Sequence, residues 1–285
     1  MRTRLLLTLA ACAAAAPLAF AGGTPRGGTI VYWSDVPFPS IWAVRADGSD
    51  GRRILASRRN AKRPRLSPDG AWVVFDGTPA PKPLMSDFDI QLVRLDGTGL
   101  RTLTSSSAWD TDAQWSPDGE LLSFDRRPPH TSGGSSVWIM RLDGRADYRL
   151  AAGSSARWAP DGRSLVFSAP TARGPGDLFT IHPDGTGRTL LLASPRLKQP
   201  AAWSPDGTRI LFTRYDAAGR PSVVVADADG THVSRLAAGI AACISPGGAQ
   251  VLFTGASSSP LYALPAVGSK RRVVVRGPAF EPDWR

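Results

Sequence analysis

Cysteine, histidine and long apolar runs are all scarce in this chain, and each scarcity removes a class of protein. The 285 residues hold two cysteines, Cys12 and Cys243. Cys12 lies in an N-terminal stretch that reads as a secretory signal peptide: Arg2 and Arg4, an apolar run from Leu5 to Ala16, then Pro17 and the small-residue site Ala19-Phe20-Ala21. Cleavage after Ala21 (signal 1–21, mature chain 22–285) is expected to leave Cys243 alone, so no intramolecular disulfide can hold the fold. The competing reading takes Leu9-Ala10-Ala11-Cys12 as a lipoprotein box, and only a lipid on Cys12 would then tie the protein to a membrane. The run itself is too short to cross a bilayer, which takes roughly 20 residues.

Histidine is limited to His130, His182 and His232, no two of them spaced as metal ligands, and no Gly-x-Ser-x-Gly elbow occurs. Neither a zinc site nor a serine triad is therefore expected, and no cofactor is implied. His130 lies on a long segment and is the one histidine placed to serve in chemistry; its plainer reading is an exposed loop residue. Acidic residues are outnumbered, 24 against 34 basic, a net charge of +10 that falls to +8 without Arg2 and Arg4. Thirty of the basic residues are arginine, which reads as composition bias as readily as a binding device. Nucleic acid is a poor partner for an exported chain, and no nucleic-acid motif occurs.

What the chain has in quantity is turn chemistry: 29 glycines and 25 prolines, the content of a protein of many short strands. The turns recur. Ser67-Pro68-Asp69-Gly70 returns as Trp115-Ser116-Pro117-Asp118-Gly119, Trp158-Ala159-Pro160-Asp161-Gly162, Trp203-Ser204-Pro205-Asp206-Gly207 and, degraded, Ile244-Ser245-Pro246-Gly247-Gly248. Six residues beyond each aspartate, or the matching Gly247, stands a phenylalanine: Phe75, Phe124, Phe167, Phe212 and Phe253. A second turn follows in each unit, at Asp47-Gly48, Asp96-Gly97, Asp143-Gly144, Asp184-Gly185, Asp229-Gly230 and the worn Val267-Gly268. Proline presets φ, aspartate tolerates the next position and glycine accepts the left-handed one, so each turn closes a hairpin. Runs such as Trp72–Phe75, Val137–Met140 and Ile210–Phe212 are too short for helices and suit strands.

Repeats of this size with four strands each predict an all-β chain: a six-bladed β-propeller of four-stranded antiparallel blades. The chain opens on a second-strand pattern, Thr29-Ile30-Val31-Tyr32, and closes on Glu281-Pro282-Asp283-Trp284-Arg285, which aligns with the first strands ending in Trp115, Trp158 and Trp203. The C-terminal strand is therefore expected to complete the first blade and close the ring, removing an exposed sheet edge. The Trp-Ser-Pro-Asp-Gly…Phe…Asp-Gly pattern resembles the WD40-like repeat of the TolB family of periplasmic propellers, over essentially all of residues 28–285. The resemblance implies a periplasmic or secreted scaffold that contacts other envelope proteins. TolB proper carries a further domain ahead of its propeller, whereas here the expected signal runs straight into a blade. The Gly-His and Trp-Asp dipeptides of eukaryotic WD40 repeats are missing in register.

Strand direction puts both turn types on one face and the long irregular segments on the other, where binding residues tend to gather. On this loop face the sequence places a basic connection, Arg58, Arg59, Lys62, Arg63 and Arg65, with Arg126 and Arg127 on the same rim. It reads as an anion site for an acidic protein surface or an anionic glycan, or else as a solvated basic loop. Arg63, Asp112, Ser155, Gln199 and Glu281 are expected at the channel mouth. Trp33, Phe38 and Trp109 are candidate anchors, or else packing between blades. Asp87-Phe88-Asp89 offers paired carboxylates for calcium, or simply leads into a strand. The functional expectation is a monomeric, non-catalytic scaffold binding an envelope protein or peptide. The alternative is a carbohydrate-active propeller that binds or cleaves an acidic polysaccharide at the channel mouth.

Overall fold

The computed structural model describes residues 28–36, 39–56, 60–79, 87–129, 134–143, 147–172, 174–193, 197–255, 260–265, 272–275 and 279–285. They form six four-stranded antiparallel sheets, each a blade. The inner strands are Phe280–Trp284 (blade 1), Lys62–Leu66 (blade 2), Trp109–Trp115 (blade 3), Ser154–Trp158 (blade 4), Leu197–Trp203 (blade 5) and Ile240–Ile244 (blade 6). The second strands, in the same order, are Thr29–Ser34, Trp72–Gly77, Leu121–Arg127, Leu165–Thr171, Arg209–Tyr215 and Gln250–Thr254. Blade 1 is built from both ends of the described chain: Phe280–Trp284 pairs with Thr29–Ser34 in the register Ile30↔Trp284 and Val31↔Asp283. Thr29 and Arg285 exchange backbone hydrogen bonds beside it, at 2.7 and 3.1 Å.

The Ser-Pro-Asp-Gly motif has a physical explanation in these turns. The Ser67 hydroxyl accepts the Trp72 N–H, while the Asp69 carboxylate accepts the Ala71 N–H and the Ser67 hydroxyl proton. Ser116 and Ser204 repeat the arrangement with Leu121 and Arg209. Blade 4 has Ala159 in place of serine and so lacks the hydroxyl bonds, but keeps the backbone bonds of Ala159 to Ser164 and Gly162 and the Asp161 carboxylate accepting the Arg163 N–H. The closing glycine sits at φ between 68° and 76° in every such turn, a left-handed conformation that a side chain resists.

The core lies between blades rather than within them. Each of six apolar clusters straddles one blade interface: Val31, Ile41 and Ile54 of blade 1, for example, meet Leu66, Val73 and Phe75 of blade 2. Ile30 and Trp284 of blade 1 meet Leu252 and Leu261 of blade 6. Because both faces of a blade are covered, second strands do not alternate inside and outside; Val73, Val74 and Phe75 are all fully buried. The repeat phenylalanines Phe75, Phe124, Phe167, Phe212 and Phe253 are buried, as are Trp115, Trp158 and Trp284, while Trp203 is half-buried. Trp115 and Trp203 also donate their indole N–H to the carbonyls of Arg65 and Arg157, in each case the inner strand of the preceding blade.

Deleting residues 280–285 removes the inner strand of blade 1 and leaves two interfaces uncovered; thermal unfolding is expected to drop sharply, and an unchanged midpoint would contradict closure of the ring by this strand. Trp158→Ala is expected to cost about 3–5 kcal/mol in chemical denaturation, as large aromatic truncations in cores do. A loss below about 1 kcal/mol, the ordinary effect of a surface change, would show that the repeat tryptophan is not part of the core.

Candidate functional site: the channel and the loop face

Every inner strand slips register against its second strand, so each carries a bulge. Three residues before the strand's last residue, four blades place a non-glycine residue at positive φ: Arg63 (49°), Asp112 (55°), Ser155 (59°) and Glu281 (45°). Such a conformation is costly for an L-residue and persists only where the surroundings hold it. Here buried carboxylates do so in two blades. The Asp112 N–H donates to Asp76 at 2.9 Å, and the Ser155 N–H donates to both oxygens of Asp125 at 2.9 Å. Asp76 and Asp125 immediately follow the repeat phenylalanines Phe75 and Phe124 on the neighbouring blade. The sequence reading missed both, although a scan of the residue after each phenylalanine would have found the two acids. It also placed Gln199 with these four, but the register Gln199↔Thr213 matches Lys62↔Asp76, so Pro200 holds the equivalent of Arg63.

The bulges aim charge into the channel. Arg63 pairs with Asp76 at 2.7 Å and with Glu281 at 3.3 Å, and the Glu281 carboxylate accepts the Trp33 indole N–H at 3.0 Å. Asp112 is shared by Arg157 at 3.0 Å and Arg65 at 3.8 Å, neither of which is distant in space although they stand on blades 4 and 2. Burial alone would raise the Asp112 carboxyl, but the guanidiniums of Arg157, Arg65 and Arg63 outweigh it and hold its pKa below the ordinary value. Burial pushes Asp76 up to about 7 against the pull of Arg63. Asp125 has no guanidinium bonded to it, and burial together with the nearby Asp112 carboxylate raises its pKa well above that of a free aspartate.

Arg58, Arg59, Phe38, His130 and the segment 1–27 lie outside the described residues. The rest of the basic connection is divided rather than gathered into one patch: Arg65 is turned inward and buried, Arg63 is paired in the channel, and Lys62 faces the loops. On the loop face the structure builds a row of rings and cations across blades 1 to 3. Phe280 stacks on Trp33 with ring centroids 4.5 Å apart. The Lys62 ammonium lies 5.4 Å from the Trp33 ring and 5.8 Å from the Phe88 ring. Phe88 meets Trp109 edge-on at 5.8 Å, and Arg127 covers Trp109 at 4.3 Å. Trp33, Phe88 and Trp109 are half-buried, so each packs against the scaffold and still presents an edge. Arg126 is held by Asp110 at 2.7 Å and Asp147 at 3.0 Å and lies over Trp138, which fixes it at the rim.

The remaining candidates have structural partners. Asp89 is fully buried and accepts from the Thr104 hydroxyl. His182 and His232 are exposed on Asp-Gly turns, the latter 2.8 Å from Asp227. Burial raises the Cys243 thiol, so it stays protonated. Among the described residues no group of three or more histidine, cysteine, aspartate or glutamate side chains is arranged to hold a metal ion.

Asp125 gives a pH-dependent expectation. Its folded pKa exceeds the unfolded 3.8, so its contribution is complete below that value and is lost as pH rises toward the folded value. Asp125→Asn keeps an acceptor for the Ser155 N–H and cannot ionise. Between about pH 4.5 and 7.5 the native chain should lose stability relative to this variant, read from urea midpoints. A difference that does not change with pH would show Asp125 titrating normally.

No protein-family model matches the chain. A TolB homologue of Chlorobium luteolum is 28% identical over 176 residues, 57% of this chain and 36% of that protein. The chain spans about a third of the length of the curated relatives it matches. Among solved structures, TolB from Acinetobacter baumannii matches with a TM-score of 0.76 at 20% identity, covering 90% of this chain and 66% of that one. An oligogalacturonate lyase in complex with manganese matches with a TM-score of 0.59 at 14% identity, covering 85% and 86%. With six blades, a ring closed by Phe280–Trp284 and likeness to these TolB proteins in sequence and fold, the chain is a TolB-like β-propeller protein.

Proposed function

We propose that this propeller is an exported, non-catalytic scaffold that holds a protein or peptide of the cell envelope on its loop face. The observation that carries the reading is the row Phe280, Trp33, Lys62, Phe88, Trp109 and Arg127, which crosses three blades beside the channel mouth. Rigid, half-exposed aromatics flanked by arginine and lysine have the composition of an interface centre, and the cations favour an acidic partner surface. The proposal adds Arg58, Arg59, Arg63, Arg126, Asp112 and Glu281 to this row as candidate contacts. The TolB relatives support a binding scaffold, and a periplasmic location accords with the signal read in residues 1–21. The protein acts as a monomer and needs no cofactor in this reading.

The second reading, an acidic polysaccharide bound or cleaved at the channel mouth, is favoured by the fold likeness to the oligogalacturonate lyase and by the guanidiniums of the channel. The two separate in one experiment. Partners are captured from envelope extract by the purified chain, identified, and titrated against Trp33→Ala, Trp109→Ala and Lys62→Glu variants whose thermal unfolding is unchanged. A protein partner should lose about tenfold or more in affinity at each aromatic, as hot-spot truncations do. Parallel incubation with oligogalacturonate, with and without manganese, should give no unsaturated product. Product formation, or a captured partner indifferent to all three substitutions, would overturn the proposal.

A further inference from the structure

The opposite mouth of the channel, on the face of the repeat turns, holds a cavity of about 320 Å³. Its inner wall is a ring of one residue per blade, each the last but one of its inner strand: Asp283, Arg65, Gln114, Arg157, Ala202 and Cys243 in blades 1 to 6. The repeat tryptophans Trp115, Trp158, Trp203 and Trp284 also line it. The ring is divided by chemistry. Blades 1 to 4 contribute an acid, two guanidiniums and an amide; blades 5 and 6 contribute a methyl group and a thiol that stays protonated. Asp283 and Arg157 stand three blades apart in a ring of six, and therefore face each other across the cavity.

The polar wall is held in place by the protein itself. Asp283 accepts the Leu66 N–H at 2.9 Å, Arg65 donates to the carbonyls of Pro64 and Glu281 at 2.9 and 3.0 Å, and Arg157 and Gln114 both bond Asp112 just above. The guanidiniums of Arg65 and Arg157 balance the carboxylates of Asp283 and Asp112, and Arg285, which also lines the cavity, stands half-exposed 3.9 Å from Asp283. A simple anion would meet Asp283, and a simple cation would meet Arg157. A molecule with one charge of each sign satisfies both walls, and any apolar part of it has Ala202 and Cys243 to cover it. Charge-assisted bonds to a carboxylate suit guanidinium, and a compact ammonium suits a single carboxylate. The volume is at the small end of ligand sites, of order 300–1,000 Å³.

We propose that this turn-side cavity is a binding site for a free α-amino acid with an apolar side chain, its carboxylate toward Arg157 and Arg65, its ammonium toward Asp283 and its side chain against blades 5 and 6. The test is titration of the purified full chain with L-leucine and L-phenylalanine, followed by calorimetry and by the emission of the lining tryptophans, alongside N-acetyl-L-leucine and L-leucinamide. Saturable binding of a free amino acid is expected, with both blocked compounds weaker by about tenfold or more. Ala202→Phe should abolish binding by filling the cavity. Asp283→Asn keeps the acceptor for Leu66 and should lower the affinity for the free amino acid about tenfold while leaving N-acetyl-L-leucine unchanged. If Ala202→Phe unfolds, the asparagine variant decides alone. No saturable binding up to roughly 10 mM, well below ordinary ligand affinity, or equal binding of the blocked compounds, would overturn the assignment. Trp33→Ala and Trp109→Ala, on the other face, should leave amino-acid binding intact, so this proposal and the scaffold reading fail separately.

Discussion

The ring depends on one stretch of backbone pairing, that of Phe280–Trp284 with Thr29–Ser34. A blade of this protein is not stable on its own terms, because its second strand is apolar on both faces and needs a neighbour on each side. Five interfaces follow from chain order, since consecutive blades are adjacent. The sixth, where Ile30, Leu252, Leu261 and Trp284 meet, exists only if the two ends of the described chain share a sheet. Each cluster then supports the next around the ring, and the described residues hold the fold by this packing with Cys243 free.

Closure also decides what the inner strands can do. Each inner strand carries a bulge, and in the four blades where the bulged residue is described at positive φ it re-aims that residue of the strand. In two blades the unfavourable φ of the bulged residue is held from the neighbouring blade: Asp76 supports Asp112 and Asp125 supports Ser155 through the backbone N–H. Asp76 places negative charge beside Arg63, and Asp112 beside Arg65 and Arg157, which are thereby kept in a partly buried channel at acceptable cost. Among the described residues this charge stands on blades 1 to 4, so the described part of the channel is chemically lopsided within a nearly symmetric frame. The two faces diverge as well: rings and cations gather at the loop-side mouth, and a compact dipolar cavity forms at the turn side.

The amino-acid sequence by itself determined the architecture. Ser-Pro-Asp-Gly closes a hairpin through bonds that its own serine and aspartate supply, and the phenylalanine six residues on is buried wherever the turn recurs. Because these are local rules repeated at a fixed spacing, they could be read blade by blade, and the final strand could be assigned by its Trp284. The channel could not be read in this way. Arg63 with Glu281, and Arg157 with Asp112, are partners on different blades that meet only in the closed ring. Nor does a run of basic residues reveal that Lys62 joins an aromatic row while Arg65, three positions later, is buried beside the opposite mouth. Turn and strand chemistry act over a few residues and are written in order along the chain; the charge network and both mouths arise from residues brought together across blades, which only the closed tertiary structure decides.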